Sequence, residues 1–174
     1  MILDKGRVSI FIDGSNLYNS LKKYRLKKSF QEIIKVLADK ENIVDIFYYT
    51  APLDIAFDKE KYWDHQRFLE KLREIPNFKV ILCTLKKFTE KDGSIKFTIK
   101  GDDISLANDL LKGAFKNLYD TAIIVSGDED FIPVIKTIKE LNKKVINAFF
   151  HKSSSNSLRR ICDECIDLAK ELRK

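Results

Sequence analysis

The chain has 174 residues, 44% hydrophobic and 33% charged, with only six Gly and three Pro. That is enough apolar material for one buried core, so a single domain over residues 1–174 is expected, and disordered or repeat architectures are excluded. Lys and Arg number 32 against 26 Asp and Glu, a net charge of +6, which suits a polyanionic partner and equally suits lysines that merely solvate the surface. No apolar run approaches membrane-spanning length, and Met1-Ile2-Leu3-Asp4-Lys5-Gly6 is too short and charged for a signal peptide. A cytoplasmic protein without a membrane partner is expected.

Taken in order, Val8-Ser9-Ile10-Phe11-Ile12 reads as a strand that stops at Asp13-Gly14-Ser15-Asn16. Gly14 permits a tight turn, and Ser15 or Asn16 is expected to cap the helix that follows, which buries Leu17 and Leu21. A second helix is predicted over residues 29–40, with Ser29 and Glu32 as a capping box. Residues 43–50 form a strand, and residues 58–74 a helix that turns Tyr62, Phe68, Leu69 and Leu72 inward; His65 and Trp63 on it are read as surface and packing residues. Another strand is expected at 78–84. Residues 85–100 then read as a hairpin around Glu90-Lys91-Asp92-Gly93, carrying Lys86, Lys87, Lys91, Lys96 and Lys100. Such a ribbon can track phosphates, and lysines also protect a solvated edge.

A helix over 102–116 with Ile104, Leu106, Ala107, Leu110 and Leu111 as its apolar set precedes the most apolar strand, Ala122-Ile123-Ile124-Val125. That strand ends in Ser126-Gly127-Asp128-Glu129-Asp130-Phe131. A helix at 131–141, a strand at 144–150 and a closing helix over 156–173 complete the prediction. Cys162 and Cys165 fall within this closing helix and are read as packing residues. Alternating strands and helices point to a mainly parallel sheet covered on both faces.

Acid accumulates at element ends: Asp13, the pair Asp102 and Asp103, and the pair Asp128 and Asp130. In open parallel sheets ligands sit beyond the carboxyl ends of strands where the strand order reverses. Like charges gathered there raise one another's pKa unless a cation neutralises them, and oxygen-only donors favour Mg²⁺ or Mn²⁺ over zinc. On α-helical geometry Asp103 and Asp109 project in different directions and do not easily share one ion.

Ile12-Asp13-Gly14-Ser15-Asn16, Lys100-Gly101-Asp102-Asp103-Ile104-Ser105-Leu106-Ala107-Asn108-Asp109 and Ser126-Gly127-Asp128-Glu129-Asp130-Phe131 resemble the three signatures of NYN domains of the LabA/DUF88 type, relatives of PIN-domain nucleases. Ser155-Asn156-Ser157-Leu158 and Cys162-Asp163-Glu164-Cys165-Ile166 are similar to the family's terminal helix. Asp102 departs from the pattern, standing where the family usually has an apolar residue, so Asp103 aligns with the family acid. The resemblance implies a three-layer α/β/α PIN-like (Rossmann-like) fold and metal-dependent ribonuclease activity, endonucleolytic rather than exonucleolytic. Asp13, Asp103, Asp128 and Asp130 would be the catalytic acids and hold Mg²⁺ or Mn²⁺, supported by Asn16, Ser126, Asp109 and Lys100. RNA would be gripped by lysines such as Lys22, Lys23, Lys86, Lys87 and Lys100; a homo-oligomer is compatible with these features.

Two other readings stay open. One is an RNA-binding or regulatory module without useful catalysis. The other is a phosphatase or Toprim-like site, since both use paired strand-end aspartates. A Toprim site wants an early glutamate where Asp13 stands, and a haloacid-dehalogenase-type phosphatase wants its Asp-x-Asp on the first strand.

Overall fold

The computed structural model describes residues 6–38, 41–90 and 92–174. The opening residues 1–5, the expected end of the second helix at 39–40 and Lys91 in the hairpin turn lie outside the described residues. Among the described residues eight strands are seen: β1 (Arg7–Asp13), β2 (Asn42–Thr50), β3 (Phe78–Leu82), β4 (Thr84–Thr89), β5 (Ile95–Lys100), β6 (Thr121–Val125), β7 (Lys144–Phe149) and β8 (Glu164–Asp167). Seven helices accompany them: α1 (Gly14–Lys23), α2 (Phe30–Ala38), α3 (Lys59–Arg73), α4 (Asp102–Phe115), α5 (Ile132–Glu140), α6 (Asn156–Ile161) and α7 (Leu168–Glu171). Six strands form one all-parallel sheet in the order β3-β2-β1-β6-β7-β8, and β4 with β5 makes a separate antiparallel ribbon.

Strand parity divides the core into two layers. Val8, Ile10 and Ile12 of β1 join Ile123 and Val125 of β6 in a cluster with Leu17, Ile33, Leu69 and Leu72 from α1–α3. Phe11, Ala122 and Ile124 face the other way and pack with Leu106, Leu110, Ile135 and Leu158 from α4–α6. Alternate side chains of a strand point to opposite faces, so the central strands must be apolar throughout, as they are. The result is the α/β/α sandwich the sequence implied. No helix among the described residues is long and apolar enough to cross a membrane.

Several local expectations are corrected. Asp13, not Ser15 or Asn16, caps α1, its carboxylate accepting from the Asn16 backbone N–H at 2.9 Å. The Ser29–Glu32 capping box does form on α2, with Ser29 N–H donating to Glu32 at 2.8 Å and Glu32 N–H to Ser29 Oγ at 3.2 Å. Ile104 and Leu111, expected inside, are exposed; α4 buries Leu106, Leu110, Gly113 and Ala114 instead. The long closing helix is broken into α6, β8 and α7. Asp163 causes the break: its backbone N–H donates to Val145 O at 2.8 Å and its carboxylate accepts from Val145 N–H at 2.8 Å, which docks the segment on β7 as a sixth parallel strand. Cys162 is therefore half-buried in extended backbone and Cys165 exposed on an edge strand, neither within a helix.

A clamp at the amino edge ties the two central strands together. Arg7 donates through its guanidinium and its backbone N–H to Asp120, with an ion-pair distance of 2.8 Å. Those hydrogen bonds hold the Asp120 carboxyl down at about 2. A depressed carboxylate contributes stability above its unfolded pKa and loses it as pH falls through the folded one. Asp120→Asn is thus expected to lower the unfolding midpoint at neutral pH, with the deficit against wild type closing between about 3.8 and about 2. Denaturation curves across that window check this; a deficit as large at pH 2 as at neutral pH would contradict it.

Candidate active site at the carboxyl edge of the sheet

Strand order reverses between β1 and β6, whose carboxyl ends lie side by side with Ile12 opposite Val125. The same parity that sends Phe11 and Ile124 toward α4 sends Asp13 and Ser126 there too. Ser126 donates its hydroxyl to Asp13 Oδ2 at 3.0 Å, and its Oγ accepts the Asp128 backbone N–H at 3.2 Å. Asp128 in turn caps a 3-10 turn over Glu129–Phe131 by accepting from Asp130 N–H at 2.9 Å. One serine therefore connects the acid of β1 to the acidic turn after β6.

Gly127 is required by the same turn. A Cβ there would lie 1.7 Å from Ser153 O, because the chain after β7 crosses directly over it and Ser155 N–H bonds Gly127 O at 3.0 Å. Below the turn, the buried Asn147 of β7 donates to Ser126 O at 2.9 Å and to Ile124 O at 3.2 Å. Asn147 and Ser155, which donates to Glu129 at 2.9 Å, are supports the sequence reading missed. A lone polar residue in Val145-Ile146-Asn147-Ala148 was the available signal for the first.

Acid arrives from a second direction through α4. Gly101 takes a positive φ of 86° that turns the ribbon's last strand into the helix, and Asp102 and Asp103 occupy its first turn. Burial, followed by the charges of Asp102, Asp13, Asp128 and Asp130, raises the Asp103 carboxyl to about 6. Burial also pushes Asp13 up, opposed by its hydrogen bonds from Asn16 N–H and Ser126 and reinforced by Asp102 and Asp128. The ion pairs among the described residues include none of these five aspartates and not Lys100. Asp102, unexpected in the sequence pattern, thus adds charge to the cluster.

Other candidates are placed elsewhere. Asp109 accepts from the buried Tyr49 hydroxyl at 3.0 Å and does not figure among the charges acting on Asp103, as its helical offset implied. Lys22 and Lys23 sit in the last turn of α1, about 14–15 Å of helix rise from Asp13, and Lys23 donates to Lys152 O at 2.8 Å. Lys86 and Lys87 point to opposite faces of the ribbon. Register puts Lys86 and Lys100 on one face with Thr98, while Lys87 shares the other with Phe97. Cys83, Cys162 and Cys165 are free thiols, and burial raises Cys162 to about 12.

Oxygen donors without a basic partner match a hard divalent cation such as Mg²⁺ or Mn²⁺ in kind. Among the described residues no three His, Cys, Asp or Glu side chains are already drawn together as ligands of one ion. Fold and site together define an α/β protein with an acidic centre at the reversal of a parallel sheet. The NYN domain model matches residues 7–169, and the chain belongs to the NYN domain family, whose members are generally nucleases acting on RNA. A crystal structure of a protein of unknown function, VPA0982 from Vibrio parahaemolyticus RIMD 2210633, is similar over 98% of this chain and 98% of its own, at 25% identity and a TM-score of 0.75. No curated protein matches the chain.

The raised Asp103 has a consequence for stability. A carboxyl whose folded pKa lies above the unfolded one opposes folding increasingly as pH rises through that interval. In buffer free of divalent ions, Asp103→Asn should therefore unfold at a higher temperature than wild type above about 6 and match it below about 3.8. Thermal melts at several pH values test this; equal midpoints at neutral pH would mean that the charges are compensated.

Proposed function

We propose that the chain is a metal-dependent ribonuclease of the LabA type, one NYN/PIN-like domain over residues 1–174 that hydrolyses RNA phosphodiesters endonucleolytically. The observation that carries this reading is the convergence of Asp13, Asp102, Asp103, Asp128 and Asp130, all without a cationic side-chain partner among the described residues, at the strand reversal. Unpaired like charges of this kind oppose folding, and a site that binds a cation and a phosphate is what offsets them.

Asp13, Asp103, Asp128 and Asp130 are the residues that would hold the ion, with Asp102 adding field. A bound Mg²⁺ or Mn²⁺ supplies there a water of lowered pKa and charge neutralisation at the phosphate. The chain's own contribution is alignment. Ser126 and the Asn16 N–H fix both oxygens of Asp13. The turn across Gly127 and Ser155 fixes where Asp128 stands. Lys86 and Lys100 share the polar face of the ribbon that leads straight into the acids, a placement suited to neighbouring phosphates.

A second reading has its own support. The carboxylates are not yet gathered at ligating range, which suits a module that binds RNA and cuts poorly or only with a partner. Cleavage of labelled single-stranded and structured RNA in Mg²⁺ or Mn²⁺, with EDTA and Asp128→Asn as controls, separates the two. The expected result is cutting that EDTA abolishes and Asp128→Asn lowers by about 100-fold or more, the scale on which a transition-state charge partner acts. RNA affinity that falls steeply with salt, without cutting in either metal, would establish the binding module instead.

A further inference from the structure

A cavity of about 860 Å³ opens beside the acidic site on the other side of β1, between α1, α2, α3 and the β4–β5 ribbon. Its boundary includes Gly14 and Ser15, the two residues that follow Asp13, and Thr50 at the carboxyl end of β2. Phe30, Tyr48 and Phe68 form the aromatic floor, meeting edge to face and at a tilt with ring centroids 5.3–6.2 Å apart. His65 stacks on Phe68 at 6.2 Å, and burial keeps its imidazole below the usual histidine range, so it is a flat neutral wall at pH 7. Tyr18 lines the opening with 65% of its surface exposed.

The roof comes from the ribbon. Leu85 and Ile99 are register partners on the face opposite Lys86 and Lys100, and both line the cavity. Phe97 on the same face packs against Phe57 at 4.9 Å, tying the ribbon to the segment before α3. The ribbon thus turns the Leu85–Ile99 pair to the cavity, with Lys87 further along the same face, and carries Lys86, Lys96 and Lys100 on the other, and it runs directly from the edge strand β3 into the acidic start of α4.

We propose that this cavity receives an unpaired nucleobase of the RNA strand whose phosphodiester lies at the aspartates. The inference rests on the reading that RNA is the substrate. Flat aromatic walls accept any base by stacking, and the amide of Gln31 offers hydrogen bonds to its edge within a largely apolar lining. The volume is ample for a nucleobase, and a base can enter only when unpaired, because in a helix its faces are stacked and its edge is engaged. Lys71 at the rim and Lys86 and Lys100 on the ribbon frame the path with positive charge, which fits a phosphate backbone. The strand crosses the carboxyl edge of the sheet over Gly14, placing phosphate on one side of β1 and base on the other. The enzyme is thereby selective for single strands, loops or bulges.

The test uses single-stranded oligoribonucleotides carrying 2-aminopurine or an abasic residue at one position at a time. In EDTA, wild-type protein should quench 2-aminopurine at one position, and Tyr18→Ala or Ile99→Trp, the latter filling the cavity from its roof, should weaken binding about tenfold, the effect of losing one stacked base. With Mg²⁺ or Mn²⁺, an abasic residue at that same position should slow cleavage about tenfold and elsewhere should not. Equal cleavage of every abasic substrate, with Ile99→Trp as active as wild type, overturns the cavity and leaves the ribonuclease intact. Should nothing be cut, the binding arm decides alone: a position-specific quench lost in Ile99→Trp supports the cavity, and its absence or indifference to the substitution overturns it. The apolar dye anilinonaphthalene sulfonate, bound in the cavity and not displaced by excess oligonucleotide, would assign the cavity to an apolar partner and overturn the inference.

Discussion

A carboxylate that is 7% exposed at the end of a central strand, with no cationic side chain paired to it among the described residues, is the constraint to which the rest of the site answers. Burying an ionised group costs several kcal/mol unless its lone pairs are met, so Asp13 can remain there only because other groups serve it. The Ser126 hydroxyl and the Asn16 N–H do so, and each lies where another constraint puts it. Asn16 is in the first turn of α1, where backbone N–H groups lack intrahelical partners. Ser126 follows β6, whose register against β1 sets the two strand ends level. One buried acid therefore couples the capping of a helix to the register of two strands.

Tyr48 and Tyr49 show how the same acid reaches the packing around it. Tyr48, beneath the cavity, has its phenol pushed up to about 12 by burial, with Asp13 adding to the effect. Tyr49 goes to the opposite layer, and its backbone carbonyl stands 2.4 Å from where a Cβ of residue 14 would be. Glycine at position 14 is set by this approach of β2 to the start of α1, and its backbone lies well within ordinary negative φ. Alternating residues of one strand thus close the floor under the cavity on one side and anchor Asp109 on the other.

Much of this was legible in the sequence because it depends on local pattern. Apolar β-branched runs announce doubly covered strands, and the acids that end two of them lie at the reversal because sequential parallel strands connect in few ways. Glu90 to Gly93 announced the ribbon. The misreadings came where a distant partner overrides local preference. Residues 162–167 look helical in isolation but are claimed by Val145 as an edge strand. Ile104 carries an apolar side chain on a face of α4 that nothing covers. Asn147 gave a signal, a polar residue inside a buried strand, whose meaning depends on the carbonyl of Ser126 lying just past the end of the neighbouring strand. The cavity had no signal, since its walls come from three helices and a ribbon that only the tertiary fold brings together.

The ribbon explains why acids and lysines can coexist so closely without cancelling. Had Lys86 and Lys100 faced the aspartates, ion pairs would have lowered the carboxyl pKa values and stabilised the free protein, while leaving nothing for a cation and phosphate to neutralise. Antiparallel register puts those lysines on the face away from Leu85 and Ile99, Gly101, with its positive φ, redirects the chain before the acids begin, and among the described residues neither lysine forms an ion pair with them. Charge is thereby kept separated along a path rather than paired at a point. If RNA is the substrate as proposed, a strand laid on that path would meet lysines along the ribbon and carboxylates at the reversal of the sheet, so the position of the reversal, fixed by β1 and β6, would determine which phosphate is held at the acidic centre.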